Sequence, residues 1–88
     1  MIMVDELRAL PGRKSRPSRW CRLTCDGDPS ELHLFAGNLG IGRHWFQESP
    51  LPHYLLTPQK RALALICGAA FVPAIKQAQW RAQDMRGS

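Results

Sequence analysis

The chain has 88 residues, 44% of them hydrophobic, and a formal net charge of +5 at pH 7. That length supports one domain, and that composition is too apolar for a wholly disordered chain. No apolar run reaches the ~18 residues that a membrane span needs, and Asp5 and Glu6 interrupt the apolar start that a signal peptide would need. We therefore expect a cytoplasmic protein with no membrane partner.

The first third of the chain predicts two strands. Ile2–Val4 is a short apolar run of the kind that forms a buried strand. Residues 11–18 read as a loop, because they are rich in Pro, Gly and basic residues. Residues 19–25 alternate, which predicts a second strand with Cys21, Leu23 and Cys25 facing the core.

A helix follows, with clear signals at both ends. Asp28 is a good N-cap, Pro29 suits the first helical position and Glu31 has the spacing of a capping box. Gly40 is a natural C-terminal stop. The apolar stripe consists of Leu32, Phe35, Ala36 and Leu39. His33 lies off that stripe, which predicts that it faces solvent or a cleft.

The second half predicts a connection, a helix, a strand and a helical tail. Because Pro50 and Pro52 break any long helix, residues 41–56 read as a short turn and then an irregular connection. A second helix begins after Thr57 and stops at Gly68; it is apolar almost all round, which predicts deep burial. Residues 70–72 form a third short strand, and residues 73–85 favour a helix.

The predicted fold is therefore α/β (α+β), with a small three-stranded sheet, two main helices and a C-terminal helix. Residues 1–73 make the single domain, and residues 74–88 make the helical tail. The last residues, 86–88, are typical of a cloning remnant as well as of native sequence, and they receive no role. Strand order, strand direction and oligomeric state stay open.

The cysteines suit packing better than metal binding. Cys21 and Cys25 with His33 are the nearest approach to a zinc cluster, but the spacing is unusual and no fourth ligand is evident. We expect free thiols, with Cys21 and Cys25 buried against the first helix and Cys67 packed in the second. No metal and no cofactor are predicted.

Two carboxylates follow the first two strands. If those strands run parallel, Asp5 and Asp26 share one edge of the sheet and could hold a divalent cation. The alternative, which we prefer, is that both residues serve local turns and caps. The sequence has no G-x-G-x-x-G, no Walker A loop and no H-E-x-x-H, so it lacks those signatures of nucleotide-binding proteins and zinc proteases.

Basic residues are concentrated between residues 8 and 22, where no acid occurs. They are Arg8, Arg13, Lys14, Arg16, Arg19 and Arg22. Such a block suits phosphate groups, although it also suits a solvated loop that keeps the protein soluble. Arg43, His44 and Trp45 could clamp bases and phosphates, although Trp45 and Phe46 are equally plausible as core residues.

Several segments resemble domain-of-unknown-function family 4031, a small family of bacterial and tailed-phage proteins. The most specific stretch, residues 31–47, combines E-L-H-x-F-A with L-G-I-x-R-x-W-F-Q. Weaker matches are residues 4–6, 20–23, 53–54, 60–64 and 68–69. The resemblance covers about residues 2–73 and leaves the tail outside.

The resemblance implies a shared set of polar positions that belong to one binding or catalytic pocket. In this chain they are Asp5, Asp26, His33, Arg43, His53 and Tyr54. The chain departs from the family pattern at two positions, with Arg22 where His is expected and Leu55 where Asp is expected. The loss of a histidine and a carboxylate weakens the case for metal or acid–base chemistry, and Arg22 favours an anion.

These observations favour a non-catalytic binding module for a phosphate-bearing ligand, either nucleic acid or a nucleotide. The expected ligand-binding residues are Asp5, Arg22, Asp26, His33, Arg43, His53 and Tyr54. Arg8, Arg13, Lys14, Arg16 and Arg19 would bind a polyanion. One alternative is a phage or prophage effector that binds and inhibits a host protein; a further alternative is a minimal metal-dependent hydrolase or nuclease that uses Asp5 and Asp26.

Overall fold

The structure is a computed structural model that describes residues 1–9, 19–48 and 51–87, with side chains through residue 83. Over these ranges the chain forms six strands and three α-helices. The strands are β1 (Ile2–Val4), β2 (Arg8–Ala9), β3 (Arg19–Cys25), β4 (Phe46–Gln47), β5 (His53–Leu56) and β6 (Ala70–Phe71). The helices are α1 (Pro29–Asn38), α2 (Pro58–Ile66) and α3 (Ala74–Gly87), and a 3₁₀ helix spans Arg43–Trp45.

The sheet is mixed, and five of its strands lie in the order β4-β5-β3-β1-β6. The remaining strand, β2, pairs with β3. β1 runs antiparallel to β3, with Val4 opposite Leu23, and parallel to β6. β5 runs antiparallel to β3, with Leu23 opposite Tyr54. Side chains of directly paired residues point to the same face of a sheet. These pairs therefore show which residues of neighbouring strands share a face.

One face of the sheet packs against α1 and α2 and forms the main core. Leu23, Tyr54 and Leu56 face the apolar stripe of α1, and Ala64 is the buried residue of α2. The predicted stripe of α1 is confirmed, since Leu32, Ala36 and Leu39 are buried and Phe35 packs partly against them.

The opposite face is partly covered by α3. Met3 and Thr24 lie opposite one another on this face and are buried. The Thr24 hydroxyl donates a hydrogen bond of 2.7 Å to Oε1 of Gln77, which is itself buried although its helix is otherwise polar. This contact fixes the first turns of α3 against the sheet, so at least this part of the predicted tail does not project freely.

The predicted helix ends are confirmed. Asp28 caps α1 by accepting a hydrogen bond from the Ser30 amide at 2.9 Å, and Thr57 caps α2 by accepting one from Lys60 at 3.2 Å. Gly40 follows α1 and Gly68 follows α2. Their φ angles of +75° and +110° are unfavourable for any residue with a side chain. The capping box is not formed, because the Glu31 carboxylate contacts Cys25 instead.

Three sequence predictions need correction. The three-stranded sheet understates the six strands that the described residues form. His53 and Tyr54 were expected in an irregular connection but lie in β5, because β3 offers a paired edge and Pro52 precedes the strand, where proline is tolerated. α2 was expected to be deeply buried, yet it contacts the sheet through one side, and Ile66 is 81% exposed.

Within the ranges the structure describes, no helix has the length and apolar content required to cross a bilayer.

Candidate functional site

Asp5 lies directly after β1 and is held by three elements. Its Oδ1 accepts a hydrogen bond of 2.7 Å from the Arg22 amide, and its Oδ2 lies 3.2 Å from Nη2 of Arg8. Its backbone carbonyl accepts a bond of 3.0 Å from Nε of Arg61 in α2. Only 2% of the residue is exposed. These contacts give Asp5 a role in joining β1, β3 and α2.

The protonation of Asp5 reflects competing effects. Burial raises the pKa of this carboxyl, and the neighbouring Glu6 adds to that effect. The hydrogen bond from the Arg22 amide and the nearby Arg8 guanidinium act in the opposite direction. Because burial is the largest cause, the pKa of Asp5 lies above its ordinary value, and its charge is stabilised less than that of an exposed aspartate.

His53 lies on the α3 side of the sheet, as does Arg22. The imidazole is buried, and its Nδ1–H donates a bond of 2.7 Å to the Leu51 carbonyl. That bond leaves Nε2 as an acceptor in the neutral ring. Burial lowers the pKa of His53, and the Arg22 guanidinium lowers it further. His53 is therefore neutral at pH 7 and does not add positive charge for a phosphate.

This shift predicts that folding stability depends on pH through His53. Below the ordinary histidine value of about 6.5, the unfolded chain binds a proton that the folded chain resists. Stability should therefore be full above about pH 6.5 and fall as the pH drops toward the folded pKa, by at most about 1.4 kcal/mol per pH unit for one proton.

Urea unfolding between pH 5 and 8 measures this effect. The control is His53→Asn, whose amide can still donate to the Leu51 carbonyl but does not titrate. The other two histidines are common to both chains, so the difference between the two pH profiles isolates His53. Identical profiles would contradict the prediction.

His33 and Tyr54 form a pair on the other face of the sheet. Nδ1 of His33 and the Tyr54 hydroxyl share a hydrogen bond of 2.7 Å, and both rings contact Phe46. Tyr54 is only 1% exposed and lies within the main core. The pair ties α1 to β5, which gives both residues a structural role.

The predicted polar residues therefore do not form one cluster. His53 and Tyr54 are consecutive in β5, so their side chains point to opposite faces of the sheet. His33 lies on the same face as Tyr54, with which it shares a hydrogen bond. Arg43 is exposed in the 3₁₀ helix. We expected Asp5, His33, Arg43 and His53 to converge, but the sheet separates the two histidines.

Asp26 lies at the other end of β1 from Asp5. Its amide donates to the Met1 carbonyl at 3.3 Å, and its Oδ1 contacts the Met1 ammonium at 2.7 Å. β1 and β3 run antiparallel, so the rise of a strand separates the two aspartates by roughly 13 Å. The parallel arrangement that a shared cation site required is absent. In the part of the chain that the structure describes, no three metal-ligating side chains are grouped.

The basic block is only partly described. Arg8 belongs to β2 and Arg19 to β3, and both side chains are exposed. The two strands pair so that Ala9 lies opposite Arg19. Arg8 also contacts Glu6 at 2.7 Å, so acids compensate part of its charge. Arg13, Lys14 and Arg16 lie outside the described residues.

The aromatic neighbours of Arg43 are packing residues. Trp45 and Phe46 are half-buried and contact the main core. The ring of Trp45 lies 5.3 Å from that of Trp20. Of the two roles that the sequence left open for Trp45 and Phe46, these contacts support the core role.

The three cysteines differ in environment. Cys21 is buried in the core, where burial raises the pKa of its thiol to about 12, so the thiol is unreactive. Cys25 is half-buried, and its Sγ contacts Glu31 at the start of α1. Cys67, which we expected to be packed, is exposed, because it follows the last turn of α2.

A cavity of about 270 Å³ opens between the α3 face of the sheet and the start of α1. Met3, Thr24 and Gln77 contribute to its wall, and α3 adds Trp80 and Arg81. Asp26 is the single predicted ligand-binding residue among its lining residues. Sequence reasoning missed this cavity, although the spacing of Gln77, Trp80 and Arg81 on one helical face was a usable signal.

A family model described as a protein of unknown function, DUF4031, matches residues 2–84. The chain belongs to the DUF4031 family. The match confirms the resemblance and extends it beyond residue 73, so most of α3 is part of what DUF4031 proteins share. No curated protein and no solved structure matched the chain in the other two comparisons.

Proposed function

We propose that this DUF4031 protein is a non-catalytic binding module for a phosphate-bearing ligand, with nucleic acid as the first candidate. The observation that supports the proposal is the pairing of Ala9 with Arg19. Because these two residues are neighbours, the segment of residues 10–18, which lies outside the described residues, is flanked by two positions that adjoin in the sheet. That segment supplies three of the six basic residues of the block.

The described arginines strengthen this argument. Arg19 is exposed, and Arg22 is half-buried on the α3 side of β3. Arginine side chains contact phosphate oxygens with paired N–H donors, and such contacts dominate non-specific affinity for nucleic acids. The acids near Arg8 limit its contribution, so the expected grip rests mainly on the residues from 13 to 22.

Binding is favoured over hydrolysis by the positions of the carboxylates. The metal-dependent alternative needs Asp5 and Asp26 within reach of one cation, and the antiparallel pairing of β1 and β3 holds them apart. Asp5 is in addition occupied by the Arg22 amide and Arg8.

The test is the salt dependence of binding to a short single-stranded DNA and to a duplex of the same sequence. Each phosphate contact contributes a slope of about −0.7 to −0.9 to log affinity against log salt, so three contacts give roughly −2 to −3. The triple variant Arg13→Ala, Lys14→Ala, Arg16→Ala should flatten this slope, while circular dichroism and the unfolding midpoint stay unchanged.

A matched pair of single variants controls for net charge. Arg16→Gln and Lys76→Gln each remove one charge, and Lys76 is an exposed residue of α3. Arg16→Gln should reduce the slope by about one contact, and Lys76→Gln should leave it unchanged. Arg43→Ala tests whether the family's polar positions belong to the same site. Equal effects of the matched pair, or a shallow slope that the triple variant does not alter, would overturn the proposal and favour a protein partner.

A further inference from the structure

The cavity beside α3 has the size of a small-molecule site. Its volume of about 270 Å³ lies slightly below the range of drug-sized pockets. A ligand that fills it therefore has the size of a single heterocycle. Arg8, Arg19 and Arg22, the residues of the basic block that the structure describes, do not line this cavity, so it is a different site from the described part of the block.

Two buried polar side chains contribute to its wall, and their hydrogen bonds define what remains free. The Gln77 amide nitrogen donates to the Val72 carbonyl at 2.8 Å, which identifies its Nε2 and Oε1 unambiguously. Oε1 accepts from the Thr24 hydroxyl at 2.7 Å. Thr24 and Gln77 are only 3% and 4% exposed, so these hydrogen bonds, and not contact with solvent, fix the orientations of the two side chains.

This arrangement leaves an acceptor beside a donor. The Thr24 hydroxyl has used its only proton, so its oxygen can now only accept a hydrogen bond. The Gln77 amide has used one of its two N–H groups and retains one donor. A ligand that satisfies both must present an N–H next to a carbonyl or ring nitrogen.

The rest of the wall is largely apolar and includes one aromatic side chain. Met3, Leu32, Leu51 and Pro52 line the cavity, together with the half-buried Trp80. An indole in the wall of an apolar cavity favours a flat aromatic ligand, because stacking adds to the burial of its surface. Saturated ligands of the same size would gain only the burial.

We propose that this cavity binds a small planar heteroaromatic molecule whose edge carries an adjacent hydrogen-bond donor and acceptor, as in the N–H/C=O edge of a nucleobase. Thr24 accepts from the ligand, Gln77 donates to it and Trp80 covers its ring. Asp26 and Arg81 lie at the exposed part of the lining, where they contact whatever substituent the ring carries.

The first experiment compares three probes by calorimetry: uracil, hypoxanthine and 1,3-dimethyluracil. Uracil and hypoxanthine carry the required edge, and we expect dissociation constants below about 1 mM. 1,3-Dimethyluracil keeps the ring but has no N–H donor, so it should bind at least about threefold more weakly than uracil. Absence of binding by both uracil and hypoxanthine up to about 10 mM would overturn the proposal. Equal binding of uracil and its dimethyl derivative would do the same.

Variants connect binding to the cavity. Trp80→Leu keeps an apolar side chain but removes the ring, and it should weaken uracil binding by about five- to 150-fold. Thr24→Val removes the acceptor and should weaken it by about two- to tenfold. The control is Ile75→Ala on the same helix, because Ile75 is 71% exposed and does not line the cavity.

Trp80 keeps the test decisive if Thr24→Val fails to fold, because Trp80 is only half-buried on a helix surface. Unchanged uracil binding in Trp80→Leu would overturn the proposal. The triple variant of Arg13, Lys14 and Arg16 should bind uracil as the native chain does, so failure of the basic block as a polyanion site leaves this inference intact.

A last arm identifies the source of the heterocycle. Hexauridylate that binds more tightly than uracil, with the same loss in Trp80→Leu, indicates an unpaired base of a nucleic acid. Hexauridylate that binds no better than uracil indicates a free heterocyclic molecule. Both outcomes support the cavity's chemistry, whereas hexauridylate binding that is unaffected by Trp80→Leu while uracil fails to bind contradicts it.

Discussion

Tyr54→Ala should destabilise the protein by about 3–5 kcal/mol, the range for removing a large buried aromatic side chain. Tyr54 is 1% exposed and packs against Phe46 with ring centroids 5.2 Å apart. For a domain of this size, such a loss lowers the melting temperature by more than about 12 °C. Thermal unfolding followed by circular dichroism measures it.

The matched variant Tyr54→Phe separates packing from hydrogen bonding. It removes the hydroxyl that pairs with His33 and should cost only about 0.5–1.5 kcal/mol. Because the hydroxyl is buried, this variant should also leave the salt slope of DNA binding unchanged. A large loss of DNA affinity in a folded Tyr54→Phe protein would return Tyr54 to the ligand-binding set and contradict its structural role.

Asp5→Ala should cost about 1–3 kcal/mol in the free energy of unfolding. The substitution leaves the partly buried Arg22 amide without its side-chain acceptor and removes the ion-pair partner of Arg8. The backbone carbonyl that Arg61 binds is retained, so the loss measures the carboxylate alone. Urea unfolding at pH 7 gives the value.

Asp5→Asn provides the control for charge. Its amide oxygen still accepts from the Arg22 amide, and it removes a charge whose burial is unfavourable. We expect a loss no greater than half of that in Asp5→Ala. If Asp5→Asn is as damaging as Asp5→Ala, the ion pair with Arg8, and not the hydrogen bond from the Arg22 amide, carries the contribution of Asp5.

Local signals in the sequence were sufficient for the helices. Asp28, Thr57, Gly40 and Gly68 act through backbone groups within a few residues, so their effect is legible without knowledge of the fold. The buried stripe of α1 follows equally directly from its spacing. The α/β class and the family could be predicted for the same reason, since both rest on such short segments.

Long-range pairing could not be predicted. The direction of β1 relative to β3 depends on how residues far apart in the chain meet, and the wrong assumption placed Asp5 and Asp26 at one edge. β2 and β4 contain two residues each, too few to show a period. The burial of α2 was overestimated because an apolar composition does not reveal how much sheet is available to cover it.

The same contrast between local signals and long-range contacts applies to the candidate site. The sequence singled out polar residues by type, but it could not show that the sheet separates His33 from His53. It gave no weight to Gln77, because a glutamine in a polar helix is ordinarily exposed. That residue is 4% exposed and bonded to a threonine 53 positions earlier, a contact that only the fold creates.

The place of β1 in the sheet also sets an order of events during protein synthesis. One edge of β1 pairs with β3, which is complete when residue 25 has been made, but its other edge pairs with β6 at residues 70–71. Likewise, the Asp5 carbonyl and the Glu6 carboxylate cannot accept their hydrogen bonds until Arg61 and Ala74 have been synthesised. Until then, the nascent chain presents an unpaired strand edge of the kind that recruits other chains. β1 is thus synthesised well before its second edge is covered, and a chain that stalls before β6 leaves that edge open to aggregation.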